Sequence, residues 1–391
     1  MYRLLWVVAF CFCFSSLFAQ QTSVNDTASY PYWIEMMQDE RVNLNDVNRA
    51  FELYWQNRPI TKGSGYKPYK RWEYNMRNGK VYADGTRKPQ DLNWNAYQDL
   101  KTSKRLSTAG NWVSKGPVYY SNGGYKGLGR INALGFDPVD QNTLYIGAPA
   151  GGLWKTTDGG VSWQSLTDSL PTLGVSAIAV HPTNTSTIYI GTGDRDASDA
   201  VGMGVMRTTD GGINWELWNT GMGTKTVHRL LIHPSDPNKL FAATSGGIYN
   251  STDGGANWVL STSGNFKELV MKPNDPTTFY ASKDGNFYRS TNGATTFTQV
   301  TTGLTSAQRG VIAVSQASPN TVYFLQSKND SGFKGLYRST DSGSSFQTMS
   351  TSPNIMDWSC DGSGSGGQAW YDLELAADPT NASVIYSGGV N

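Results

Sequence analysis

Between residues 156 and 346 one short pattern occurs five times: TTDGGVSW (156–163), TTDGGINW (208–215), STDGGANW (251–258), STNGATTF (290–297) and STDSGSSF (339–346). Its third positions, Asp158, Asp210, Asp253, Asn292 and Asp341, are 52, 43, 39 and 49 residues apart. Strand-forming sequence that repeats every ~40–50 residues predicts the blades of a β-propeller. From Gly129 onward each unit has the same order: an alternating apolar strand (INALGF, VSAIAV, HRLLIH, KELVMK, GVIAVS), a turn rich in Asp, Asn and Pro, two further strands, the Asp turn and a fourth strand. The class is therefore all-β, with five complete four-stranded blades and a partial sixth, because residues 371–391 supply only two more strands.

Within the motif, Asp-Gly between strands is a hairpin signal, since Gly accepts positive φ without steric cost. The carboxylate takes hydrogen bonds from the turn's own amides, and Ser or Thr two residues earlier reinforces it. The aromatic at the end (Trp163, Trp215, Trp258, Phe297, Phe346) is expected to pack into the blade. Each Asp serves its own hairpin, so five regularly spaced carboxylates are a structural set rather than a catalytic one. In the fourth copy Asn292 and Ala294 replace Asp and Gly, a change that a turn tolerates better than a catalytic pair does.

Ahead of the repeats, residues 1–19 are expected to be a signal peptide: Arg3, an apolar run from Leu4 to Phe18, and a cut near Ala19-Gln20. Phe10 is too bulky for a lipoprotein signal at Cys11, so secretion is the preferred reading, and no transmembrane segment is expected after the leader is removed. Cys11 and Cys13 leave with the leader, and Cys360 alone cannot form an internal disulfide. Residues 20–110 form a helical and basic lead-in. Val42, Val47, Ala50, Phe51 and Tyr54 recur at near-helical spacing, with Asn45 or Asp46 as a cap. Nine Lys or Arg against two acidic residues follow between Arg58 and Lys88, interleaved with Tyr66, Tyr69, Trp72 and Tyr74. This stretch reads as a solvated segment whose aromatics pack onto the neighbouring domain. The whole chain has a net charge of +1, so no global field attracts nucleic acid. Asn111-Trp112-Val113-Ser114 resembles a fourth strand and is expected to join the last blade in the propeller of residues 111–391. Ring closure would also need a third strand after Asn391, so the sequence is expected to be truncated there.

The S/T-x-D-x-G-x-x-W pattern resembles the Asp box, or BNR repeat, of sialidases, sortilin-type receptors, xyloglucanase-type glycosidases and photosystem assembly factors. The segments FELYW…KGSGYKPYKRWEY and GRINALGFDP…YIGTGDRDASD are similar to large secreted bacterial proteins exported by the type IX route. The resemblance implies a propeller, and a place outside the cell or at its surface reached through secretion machinery. It says little about activity, because the box is structural.

Three places carry candidate site residues. The insertion GDRDASDAVGMG groups Asp194, Arg195, Asp196 and Asp199, which suit acid–base work on a glycoside or calcium binding through oxygen. Arg130, Arg229 and Arg309 open innermost strands of three blades and could clamp a carboxylate. The sialidase family's Arg-Ile-Pro signature and Tyr–Glu nucleophile pair are not found. The connection MDWSCDGSGSGGQAWYDLEL offers Trp358, Trp370 and Tyr371 as sugar-stacking platforms, with Asp357, Asp361 and Asp372 nearby. His181 and His233 fall in Pro turns, so no Ser-His-Asp, Cys-His or zinc constellation is assembled. The leading functional expectation is a non-catalytic binding or scaffold module for glycan or surface protein, needing no cofactor. The alternative is a glycoside hydrolase of sialidase-like or xyloglucanase-like type, and a third reading is a spacer.

Overall fold

The computed structural model describes residues 31–61, 64–89, 91–102, 129–197 and 200–389. The proposed signal peptide and the closing strand at 111–114 lie outside these residues. From Ala133 onward the chain forms five four-stranded antiparallel sheets, at 133–165, 175–217, 227–263, 266–300 and 310–350, and a two-stranded sheet at 374–388. In every sheet the strands pair in sequence order, and the first strands of successive sheets lie side by side. These are the blades one to six of a propeller, with the first strand of each innermost. Middle strands are the most apolar: Ile188–Thr192 of blade two is buried throughout. The fourth strands are short and exposed, only two residues long in blades one and two.

The box is a hairpin staple. In blade two the Thr208 hydroxyl donates to Asp210 Oδ1 (2.7 Å) and accepts from Gly212 N (3.0 Å), while Asp210 accepts from Asn214 N (2.9 Å). Asn292 does the same work in blade four, accepting from Thr296 N at 3.1 Å. Hydrogen bonds from Asn214 and Thr208 hold the Asp210 carboxyl down at about 2. Thr208 itself is buried, so Thr208→Val strands the Gly212 amide. Equilibrium denaturation should record a loss of about 1–3 kcal/mol.

In blades two, three and five the box aromatic also ties the blade to the one before it. Trp215 Nε1 donates to the Leu166 carbonyl of blade one, and Trp258 Nε1 to the Trp218 carbonyl of blade two. The backbone N–H groups of Trp258 and Phe346 donate to Thr220 and Thr302 of the preceding blades. There the chain passes so close that a Cβ on Gly303 would stand 1.8 Å from the Phe346 carbonyl oxygen, with φ at +79°. Phe297 is half-buried against Phe266. Trp163 departs from the expected packing. It is 36% exposed and its indole N–H turns back to Gly160, because among the described residues no carbonyl of a preceding blade takes it. On the same side of blade one, Leu134 and Phe136 face solvent.

The lead-in is more ordered than its sequence implies. It contains α1 (Trp33–Gln38), α2 (Leu44–Trp55), α3 (Tyr66–Asn75) and α4 (Leu92–Thr102). The cap of α2 is Asn43, whose side chain accepts from Asn45 N, rather than Asn45 or Asp46. The basic aromatic stretch is not a solvated segment laid on the propeller. It forms α3, with Pro68 tolerated in the first turn. Tyr69 and Trp72 close a helical core with Trp33, Phe51 and Val47, while Tyr74 stays exposed. The aromatics that do enter the propeller's apolar clusters are Trp94 of α4, which packs with Tyr145 and Leu153, and Tyr97 beside it.

Candidate functional site

The 193–197 turn of the blade-two insertion lies across the central opening, where Arg130 and Arg309 meet it directly and Arg229 stands beside it on Glu268. Arg130 Nη2 donates to Asp194 Oδ1 at 2.8 Å, and Asn132 Nδ2 donates to the same oxygen at 3.0 Å. Arg309 Nη1 donates to Asp196 Oδ1 at 2.9 Å and to the Trp370 carbonyl at 2.5 Å. Arg195 donates to Asp196 Oδ2 (3.2 Å) and Glu374 Oε1 (2.6 Å). Arg229 grips Glu268 with two parallel bonds of 3.0 Å, the fork geometry that suits a guanidinium. Lys267 stands 3.9 Å from Asp196. The turn is held from below by its own backbone: Ser176 Oγ donates to Gly193 O and accepts from Arg195 N.

Asp194, Arg195, Asp196, Glu268 and Arg309 are buried, which sets the electrostatics. Burial alone would raise the Asp196 carboxyl, yet Arg309, Arg195 and Lys267 hold it far below the usual carboxylate range. Burial lowers the Lys267 ammonium to about 8 despite the opposing pull of Asp196. Burial and then the charge on Lys267 drive the His228 imidazole down to about 3, so it is neutral and donates from Nδ1 to the Phe266 carbonyl at 2.8 Å. His181 and His233 accept turn amides, as their Pro turns imply.

The structure therefore brings together Asp194, Arg195, Asp196, Arg130, Arg229 and Arg309, but pairs them with one another and with residues that sequence reasoning passed over. Glu268, Glu374, Lys267, Asn132 and Ser176 are that missed half. The donor set does not suit calcium, because Asp194 and Asp196 already accept from arginines and an ion there would meet Arg130, Arg195, Arg309 and Lys267. Asp199 lies outside the described residues. Among the described residues no group of three or more His, Cys, Asp and Glu is placed to hold a metal.

Beside this network a cleft of about 870 Å³ opens between the helices and the propeller face. Trp358, Trp370 and Tyr371 line one side, and Tyr54, Trp55 and Arg71 the other. Trp370 and Tyr371 form a tilted pair 4.3 Å apart, and the Arg130 guanidinium sits 5.6 Å from the Tyr371 ring. Asp357 accepts from the Gly364 amide and Asp361 from Ser363, so both brace the loop. Burial raises the carboxyl of Asp372. Cys360 is an exposed free thiol.

A family model described as Sortilin, neurotensin receptor 3 (Sortilin-Vps10) matches residues 246–374. With the five stapled hairpins and their four-stranded sheets, this decides the fold. It is an Asp-box β-propeller. Xyloglucanase Xgh74A of Acetivibrio thermocellus is 28% identical over 140 residues, 30% of this chain and 15% of that protein. A probable oligoxyloglucan-reducing end-specific xyloglucanase of Neosartorya fischeri is 30% identical over 115 residues, 28% and 13% of the two chains. Among solved structures, the GH74 enzyme of Niastella koreensis superposes on 66% of the propeller chain and 44% of its own, with a TM-score of 0.54 and 19% identity. The matched segments thus span 13–15% of the two curated relatives and less than half of the solved structure. No described helix is long and apolar enough to cross a membrane.

Proposed function

We propose that this propeller is a non-catalytic binding module that acts outside the cell and holds a glycan chain in the cleft between its helices and its open face. The observation that carries this reading is the pairing of Asp194 and Asp196 with arginines beside a cleft walled by aromatic rings. A carboxylate that must exchange protons needs a pKa near the working pH, and Asp196 is held far from it. Aromatic faces, by contrast, suit the apolar face of a sugar ring.

Xyloglucan is the first ligand to try, since the relatives are xyloglucanases. Saturable binding without release of reducing ends is expected. Trp358→Ala and Trp370→Ala should each weaken it on the order of tenfold, about 1.4 kcal/mol, as isothermal titration calorimetry would read. The second reading, a glycoside hydrolase, is favoured by those relatives and by the raised carboxyl of Asp372, which suits a general acid. Measurable turnover that disappears in Asp372→Asn would replace the first reading with the second. A surface protein as ligand would show as binding that survives both tryptophan changes.

A further inference from the structure

A second, smaller cavity of about 190 Å³ lies where α1 meets blades four and five. Glu35 and Gln38 of the helix face Asn265, Lys267, Asp284 and Arg309 across it. Its inner wall is short of negative charge. Arg309 is 5% exposed, and beyond its two Nη1 bonds its Nε and Nη2 groups are buried with no protein partner. Lys267 has Asp196 only at 3.9 Å, beyond hydrogen-bond reach. Arg309 and Lys267 also share one carboxylate, that of Asp196. A buried N–H without an acceptor is costly, and a carboxylate from outside supplies the acceptor that the Arg309 Nε and Nη2 groups lack.

The mouth has the opposite character. Glu35 and Asp284 both reach solvent there. Partial burial raises both carboxyls, and the charge on Asp284 raises Glu35 further, while Lys283 and Lys267 pull Asp284 the other way. Asn265 adds a buried Oδ1 with no protein partner, its Nδ2 donating to Gln38. A simple anion would satisfy the inner wall but meet two acids at the rim, and a simple amine would do the reverse. At about 190 Å³ against about 870 Å³ for the neighbouring cleft, it suits a small ligand rather than a chain of sugars or residues.

We propose that this cavity binds a free α-amino acid with a small side chain, its carboxylate inward on Arg309 and Lys267 and its ammonium outward between Glu35 and Asp284. The cavity borders the glycan cleft, sharing Gln38 and Trp370 with it, but the proposal does not rest on the glycan reading. The test uses the full chain in calorimetry and thermal-shift titrations with glycine, L-alanine and L-serine, and with acetate and methylamine as the two half-ligands. Saturable binding of an amino acid is expected, with each half-ligand at least tenfold weaker. Glu35→Gln and Asp284→Asn, both at the exposed rim, should weaken it at least tenfold with unchanged melting temperature. Lys267→Met should abolish it. Acetate binding as tightly as the amino acids would overturn the proposal in favour of an anion-only site. No binding by any probe, or binding indifferent to both rim substitutions, would overturn it outright.

Discussion

Asp196→Ala is expected to destabilise the propeller by about 3–5 kcal/mol, the cost of removing one partner from a buried ion cluster. The Asp196 side chain is 1% exposed and is the one carboxylate that Arg195, Arg309 and Lys267 share. Without it Arg309 and Lys267 lose the carboxylate they share, and Arg195 keeps only Glu374 and, at 4.0 Å, Glu268. Asp196→Asn keeps the shape and removes the charge, so a similar loss in both variants would assign the effect to charge rather than to packing. The pH dependence follows from the lowered carboxyl. An acid whose folded value lies below its unfolded value, about 3.9 for Asp, stabilises fully above the unfolded value and loses that contribution as pH falls through the folded one. Wild type should therefore shed stability below about pH 4, and the Asn variant should lack that component. Chemical denaturation at pH 7 and pH 3 measures both claims. A loss under ~1 kcal/mol at pH 7, the scale of a surface pair, would show that the cations are neutralised from elsewhere.

The same network shows what was legible in the sequence and what was not. The five boxes declared the blades because turn chemistry is local: Asp, Gly and Ser act on amides within four residues. Asp194, Asp196 and the three arginines could be placed at the opening, but not paired, because pairing depends on register around a ring. Arg195 meets Glu374 across 179 residues. A signal existed. Asn132, Ser176, Arg229, Glu268 and Glu374 each immediately precede the apolar core of an innermost strand, so aligning the units by that strand would have put them at one level of the channel. Their differing chemistry hid the position. In the lead-in, Pro68 and dense charge masked α3, whose helical state depends on Tyr69 and Trp72 finding Phe51 and Trp33. Tertiary packing, rather than propensity, supplies most helix stability.

That dependence makes Phe51→Ala the second large effect. Phe51 is 1% exposed, stacks on Tyr69 with ring centroids 3.7 Å apart and 13° between planes, and meets Trp33 and Tyr66 at 5.1 Å. Lys70 lies 5.1 Å above the ring. Truncating a buried Phe costs about 3–5 kcal/mol through lost transfer energy and the cavity left behind. A core of only a few turns of helix has little else to draw on, since small units bury a small fraction of their surface. The expected outcome is therefore local: rapid proteolysis within residues 31–102 and loss of near-ultraviolet signal from Trp33 and Trp72, while the blades, with separate apolar clusters, keep their own transition. Tyr54, Trp55 and Arg71 form one wall of the cleft, so glycan affinity should vanish with the helices even though Trp370 and Tyr371 stay in place. Unchanged affinity in a variant whose helices are demonstrably digested would move the binding site off the cleft and onto the propeller alone.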